Sequence, residues 1–155
     1  MDIQTPIIEN CVICRKHSGK IPVPGGAIYQ DERVYASHAH IAEGQTSTYL
    51  GWLVIETQRH IPGIADLSDE EGQSVGLLAV RLSRLLKSLT EAEHVYVFVL
   101  GHNVPHFHLH LLPRYPGAPR EFWGTHVDEW PDAPHGGEAE IADLCNRLRA
   151  GLSAS

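Results

Sequence analysis

The chain is short of basic residues. Lys and Arg number 12 against 19 Asp and Glu, a formal charge of −7 over 155 residues. That balance argues against a binder of nucleic-acid backbones, which presents a basic face. It leaves room for a small phosphorylated ligand, because a pocket can be locally positive inside an acidic protein. Apolar runs approaching the ~18 residues of a membrane span are also missing. The stretch MDIQTPIIEN carries acids and lacks a basic segment followed by an apolar one, so no secretion signal is expected and the cytoplasm is the default location. No internal repeat and no domain boundary is visible. At 43% hydrophobic and 20% charged, the composition is that of an ordinary folded protein. One domain over 1–155 is the expectation.

Cysteine is scarce and odd in number, three in all. Two of them, Cys11 and Cys14, form CVIC. A structural disulfide there does not suit a reducing cytosol. The pair reads either as half of a zinc site or as two unremarkable thiols. Cys145 falls on the apolar stripe of a helix and is expected in the core.

The segment SGKIPVPGG is a connector rich in Gly and Pro, followed by β-type stretches AIYQ and RVYASHAHI around a turn at Asp31 and Glu32. EGQTSTYLG is a polar loop leading into the strand GWLVIET. Ser68 and Glu71 form a capping box that opens a long helix. Its face of Val75, Leu78, Leu82, Leu85 and Leu89 is expected on a sheet, with Arg81, Arg84 and Lys87 in water. Gly72 and Gly76 predict a frayed start. VYVFVLG suits a central strand, and the strand carrying His106 follows a break at Gly101-His102-Asn103. Residues 115–137 form an arm rich in Pro, Gly and Trp with little regular structure. A last helix over about 138–152 carries Ile141, Leu144, Cys145, Leu148 and Leu152 on one face. This order predicts an α+β fold: an antiparallel sheet of about five strands, with one long helix and a C-terminal helix packed on it.

The motif PHFHLHLLPR sets His106, His108 and His110 at every second position. In a strand they share one face, about 6.6 Å apart in sequence, with Phe107, Leu109 and Leu111 on the other. One metal bound by all three is geometrically poor, since the outer residues start roughly 13 Å apart and Zn–N bonds are ~2.0–2.1 Å, whereas neighbours at i and i+2 could share one. An unprotonated imidazole is a competent nucleophile toward phosphorus, and a second can donate a proton or hydrogen bond to phosphate. Chemistry, metal binding and surface decoration all remain open from the spacing, in a chain with 11 His. His38 and His40, in SHAH, show that an HxH pair alone is a weak signal.

The run from His106 to Leu112, followed by Pro113-Arg114, resembles the signature of the histidine triad (HIT) superfamily of nucleotide hydrolases and transferases, of the zinc-containing type. CVIC, GWLVIETQRH and VYVFVLG stand in the order of that family's landmarks. The resemblance implies that His108 attacks the α-phosphorus of a nucleotide-type substrate, such as a nucleoside phosphoramidate or dinucleoside polyphosphate. A covalent nucleotidyl-histidine forms, and water releases the monophosphate. His110 would donate a hydrogen bond to the phosphate and help the leaving group depart. Backbone N–H groups around Gly101, His102, Asn103 and Val104 would cradle phosphate oxygens. The resemblance also implies a structural zinc held by Cys11, Cys14, His60 and His106, and a homodimer paired through a helix and an extended sheet.

The chain departs from the family at the substrate. Gly101-His102-Asn103 stands where a Gly-Gln-Ser/Thr run is usual. The acid that often holds the ribose is missing, with Ala39 or His40 in its place and only Glu43 near. Gly51-Trp52 replaces a usual Gly-His. An alternative to the enzyme is a nucleotide-binding or sensing protein that keeps the fold without catalysis. Hydrolysis by a zinc-bound water is a third reading, which the closed set of four ligands disfavours. The aromatic arm, with Tyr115, Phe122, Trp123 and Trp130, either stacks a base or plugs a core or interface.

Overall fold

A computed structural model describes residues 8–154. Residues 1–7, on which most of the reading of the N-terminal stretch rests, and residue 155 lie outside the described residues. The strands are β1 (Tyr29–Gln30), β2 (Val34–His38), β3 (Thr48–Tyr49), β4 (Leu53–Thr57), β5 (His94–Phe98), β6 (His108–Arg114) and β7 (His135–Gly136). The helices are α1 (Val12–His17), α2 (Asp69–Thr90) and α3 (Glu138–Ala154). Five strands form one antiparallel sheet in the order β1-β2-β4-β6-β5, and β3 pairs with β7 in a separate ladder. The α+β architecture expected from the sequence is present.

Alternation along the strands sorts the two faces. Val34, Ala36, Leu53, Ile55, Leu109 and Leu111 point into one core, where Val75, Leu78, Leu82 and Leu86 of α2 meet Ile141, Leu144, Cys145 and Leu148 of α3. The buried stripe of α2 therefore runs through Leu86, while Leu85 and Leu89 sit at its partly buried margin. Helix α2 is regular from Asp69, despite two glycines in its first turns. Ser68 Oγ accepts from the Glu71 N–H while the Glu71 carboxylate accepts from the Ser68 N–H, and the Arg59 guanidinium grips the same carboxylate at 2.6 and 2.7 Å.

Two expectations need correction. VYVFVLG is an edge strand, not a central one: among the described residues β5 pairs only with β6, and its Val97 is 51% exposed. Its two faces are only partly covered, Val95 and Val99 against the main core and Tyr96 and Phe98 against a second cluster. The histidine strand also starts later than the motif, at His108. The Phe107 N–H leaves the ladder for the Ile61 carbonyl, 2.6 Å away, which bends the chain at His106.

Gly25 shows why one connector glycine is needed. Its φ is +73°, and a Cβ there would lie 2.6 Å from the Cys145 Sγ. Cys145 is fully buried, as expected, and burial pushes its thiol up to about 11.

Candidate active site and metal cluster

The face of the sheet opposite α2 and α3 carries His108 and His110. On β4, Val54 and Glu56 stand directly across from His110 and His108 of β6, and Phe98 of β5 stands across from His110. Trp52, one step before β4, shares that face by alternation. Helix α1 lies against this side through Lys16 and His17.

The bend at His106 separates it from its two neighbours. His106 is fully buried, and its Nε2–H donates to the Thr57 carbonyl at 2.6 Å. Its Nδ1 therefore carries the lone pair, and it stands 3.5 Å from both the Cys11 and Cys14 sulfurs. His60 Nδ1 lies 3.4 Å from the Cys14 sulfur. One ligand atom from each of Cys11, Cys14, His60 and His106 falls within 4.8 Å of all the others. A tetrahedral zinc with Zn–S of about 2.3 Å and Zn–N of about 2.05 Å needs S···N separations of about 3.6 Å. The observed spacings fit that geometry, and two soft sulfurs with two imidazoles suit zinc. Thr57 orients the ligand ring from behind, as the partners of metal-bound histidines do. Burial, opposed by the Thr57 bond, pushes His106 down to about 4, so the ring offers a free lone pair at neutral pH. Burial pushes the Cys14 thiol up, and the positive metal is what would favour its thiolate.

His108 and His110 lie outside the cluster, so the three histidines do not share one metal. The His108 Nδ1–H donates to the His106 carbonyl at 2.7 Å. In the neutral ring that bond places the lone pair on Nε2. His110 is set differently: its Nδ1 accepts from the Trp52 indole N–H at 3.0 Å, so its proton sits on Nε2. Its ring stacks on Phe98 with centroids 4.8 Å apart and meets His108 edge-on at 5.0 Å. The two imidazoles thus present opposite functions side by side, a lone pair on one and an N–H on the other.

The loop Gly101, His102, Asn103 and Val104 stands before the histidine strand. Gly101 has a φ of +72° and His102 and Asn103 are exposed. Val104 packs against Cys11, Ile13 and Cys14, which ties the end of this loop to the metal cluster.

Several residues here escaped sequence reasoning. Glu56 is 2% exposed and accepts from Lys16 and, at 2.8 Å, from His17. Burial would raise its carboxyl, but the His17 bond and the Lys16 charge outweigh it and hold the group below the usual range. Alternation through GWLVIET places Trp52 and Glu56 on the histidine face, which was the available signal. His38 is structural: fully buried, it donates from Nδ1 to the Ala39 carbonyl and accepts the Gly51 N–H at Nε2, both at 2.9 Å.

The aromatic arm is packed. Tyr115 and Trp130 join a second cluster with Tyr49, Leu112, Val127 and Ala133. Trp123 lies over the Arg114 guanidinium, 3.6 Å from the ring centroid, and its indole N–H donates to the Ala118 carbonyl at 3.0 Å. The trailing Arg of the motif thus anchors the arm.

A family model described as the HIT domain matches residues 22–117. The chain belongs to the HIT family. Among HIT relatives, the Bacillus subtilis protein called Protein hit is 29% identical over 134 residues, covering 79% of this chain and 84% of its own length. A zinc-bound histidine triad family protein from Mycobacterium smegmatis superposes with a TM-score of 0.66 at 19% identity, over 94% of each chain. A histidine triad nucleotide-binding protein from Sulfolobus tokodaii gives a TM-score of 0.70 at 15% identity, over 93% of each chain. These structures share the HIT fold with this chain.

Proposed function

We propose that this HIT protein is a nucleotidyl hydrolase or transferase that acts through a covalent nucleotidyl-histidine on His108. The observation that carries this reading is the 2.7 Å bond from His108 Nδ1–H to the His106 carbonyl, which fixes the tautomer with a free Nε2 lone pair. His108 Nε2 attacks the α-phosphorus, and the His110 Nε2–H donates a hydrogen bond to the phosphate region. The loop at Gly101, His102, Asn103 and Val104 contributes backbone N–H groups to phosphate oxygens. A zinc held by Cys11, Cys14, His60 and His106 would be structural, tying α1 to the segment whose bend at His106 delivers the His106 carbonyl to His108. The test is a panel of nucleoside phosphoramidates, dinucleoside polyphosphates and nucleotide sugars, assayed with His108→Ala as control. Turnover by the native protein and none by a folded, zinc-loaded variant supports the reading.

We also propose that the protein is a homodimer. Edge strand β5 and the neighbouring face of α2 leave Leu77, Val80 and Val97 at 46–56% exposure, and a second copy of the same edge would continue the sheet. The cytoplasm remains the proposed location. Two of the three cysteines, Cys11 and Cys14, lie in the metal cluster, and ligation by reduced cysteines suits a reducing compartment.

A further inference from the structure

Trp52 gives His110 a property that the motif does not specify. An indole N–H only donates, so the 3.0 Å bond occupies the Nδ1 lone pair of His110 and leaves one proton on the ring, at Nε2. The ring is held in place on its other side by Phe98, and the nearest basic neighbour is His108. Burial first, then the neighbouring His108, pushes His110 down to about 4, with Lys16 acting in the same direction and Glu56 against it. Geometry and surroundings agree on a neutral ring.

From this contact, and resting on the hydrolase or transferase reading above, we infer that Trp52 is a specificity-determining positioning residue. It restricts His110 to donating a hydrogen bond without surrendering a proton, so the site prefers phosphoric anhydrides, such as dinucleoside polyphosphates, over phosphoramidates. The chemistry follows the electrons. His108 Nε2 forms a bond to the α-phosphorus, and the bond from phosphorus to the leaving atom breaks with its electron pair on the leaving group. A phosphate-terminated leaving group is stable as that anion. An amine must gain a proton as it departs, and a neutral His110 that gave one up would become an imidazolate. In the second step water attacks phosphorus, its proton passes to solvent, and the P–N bond returns its pair to His108 Nε2.

The test compares kcat/KM for diadenosine tetraphosphate and adenosine 5′-phosphoramidate, in the native protein, Trp52→His and Trp52→Phe. General acid assistance is commonly worth about 10²–10⁴-fold, so the native protein should favour the anhydride by at least about 100-fold. A histidine at position 52 can accept from His110 Nδ1–H and permit a cationic ring, which should narrow that ratio by about tenfold or more. Trp52→Phe removes the donor without supplying an acceptor and should slow both substrates by a similar factor. A native ratio near one, or a ratio that Trp52→His leaves unchanged, overturns the inference. Nitrogen NMR of the His110 ring gives a second readout that needs no turnover. It should show Nδ1 unprotonated and Nε2 protonated from about pH 5 to pH 8, given an ordinary imidazole midpoint near 6.5; a protonated Nδ1 in that range contradicts the assignment. If the native protein cleaves neither substrate and forms no adduct on His108, the enzymatic reading fails and takes the leaving-group preference with it. The NMR result then still decides the tautomer.

Discussion

His106 donates from Nε2 to the Thr57 carbonyl at 2.6 Å, and this one bond turns its other nitrogen toward Cys11 and Cys14. The same residue's backbone carbonyl accepts from His108. His106 therefore joins the metal cluster and the candidate nucleophile through two different atoms.

One zinc per chain is expected in purified protein by elemental analysis, and none in a Cys14→Ala/His60→Ala variant. Loss of a site that closes α1 onto the sheet should lower the melting temperature by about 6–20 °C, taking about 3–5 kcal/mol and 2–4 °C per kcal/mol. Equal melting with and without a strong chelator, at full zinc occupancy beforehand, contradicts a structural role.

Glu56 should matter more for folding than its surface neighbours. Glu56→Ala leaves Lys16 and His17 facing an unpaired, mostly buried site, and a cost of about 2–4 kcal/mol is expected from urea unfolding. Lys16→Met combined with Glu56→Leu, which removes both charges, should recover part of that loss. If the single substitution costs no more than a typical exposed ion pair, about 0–1 kcal/mol, the pair is not effectively buried.

Acid should destabilise the fold through His38. Burial holds its pKa below the ordinary value, so the unfolded chain takes up a proton there before the native one does. Stability is then present above the unfolded midpoint near 6.5 and is lost as pH falls below it. Metal-free native protein should lose more melting temperature between pH 7.5 and 5.5 than metal-free His38→Gln does. Parallel slopes for the two would remove His38 from the account.

Gly25→Ala should destabilise for two separable reasons. The left-handed φ of +73° strains any residue with a Cβ, at about 1–2 kcal/mol, and the new methyl meets the Cys145 Sγ at 2.6 Å. Cys145→Ala in the same chain relieves the second term only, so a double-mutant cycle should show a coupling of about 1 kcal/mol or more.

Much of this was legible in the sequence because it rests on spacing. The capping box at Ser68 and Glu71, the stripe of α3 and the separation of His106 from His110 all follow from helix and strand periods. The four metal ligands were legible only through their resemblance to a family, since no spacing links Cys14 to His60 across the four intervening strands. The edge position of β5 was not legible, because an apolar run does not reveal whether a second strand pairs beside it. The tautomers of His108 and His110 were hidden for a different reason. They depend on the bend that brings the His106 carbonyl to His108 and on the Trp52 indole just before β4, and the motif specifies neither.

The central claim is that His108 forms a covalent bond to phosphorus, and intact mass after rapid quench tests it most directly. Native protein mixed with a turned-over nucleotide substrate should gain the mass of one nucleoside monophosphoryl group, localised by peptide mapping to His108 and absent from His108→Ala. Turnover with no adduct at any quench time, or an undiminished rate in His108→Ala, would contradict the account.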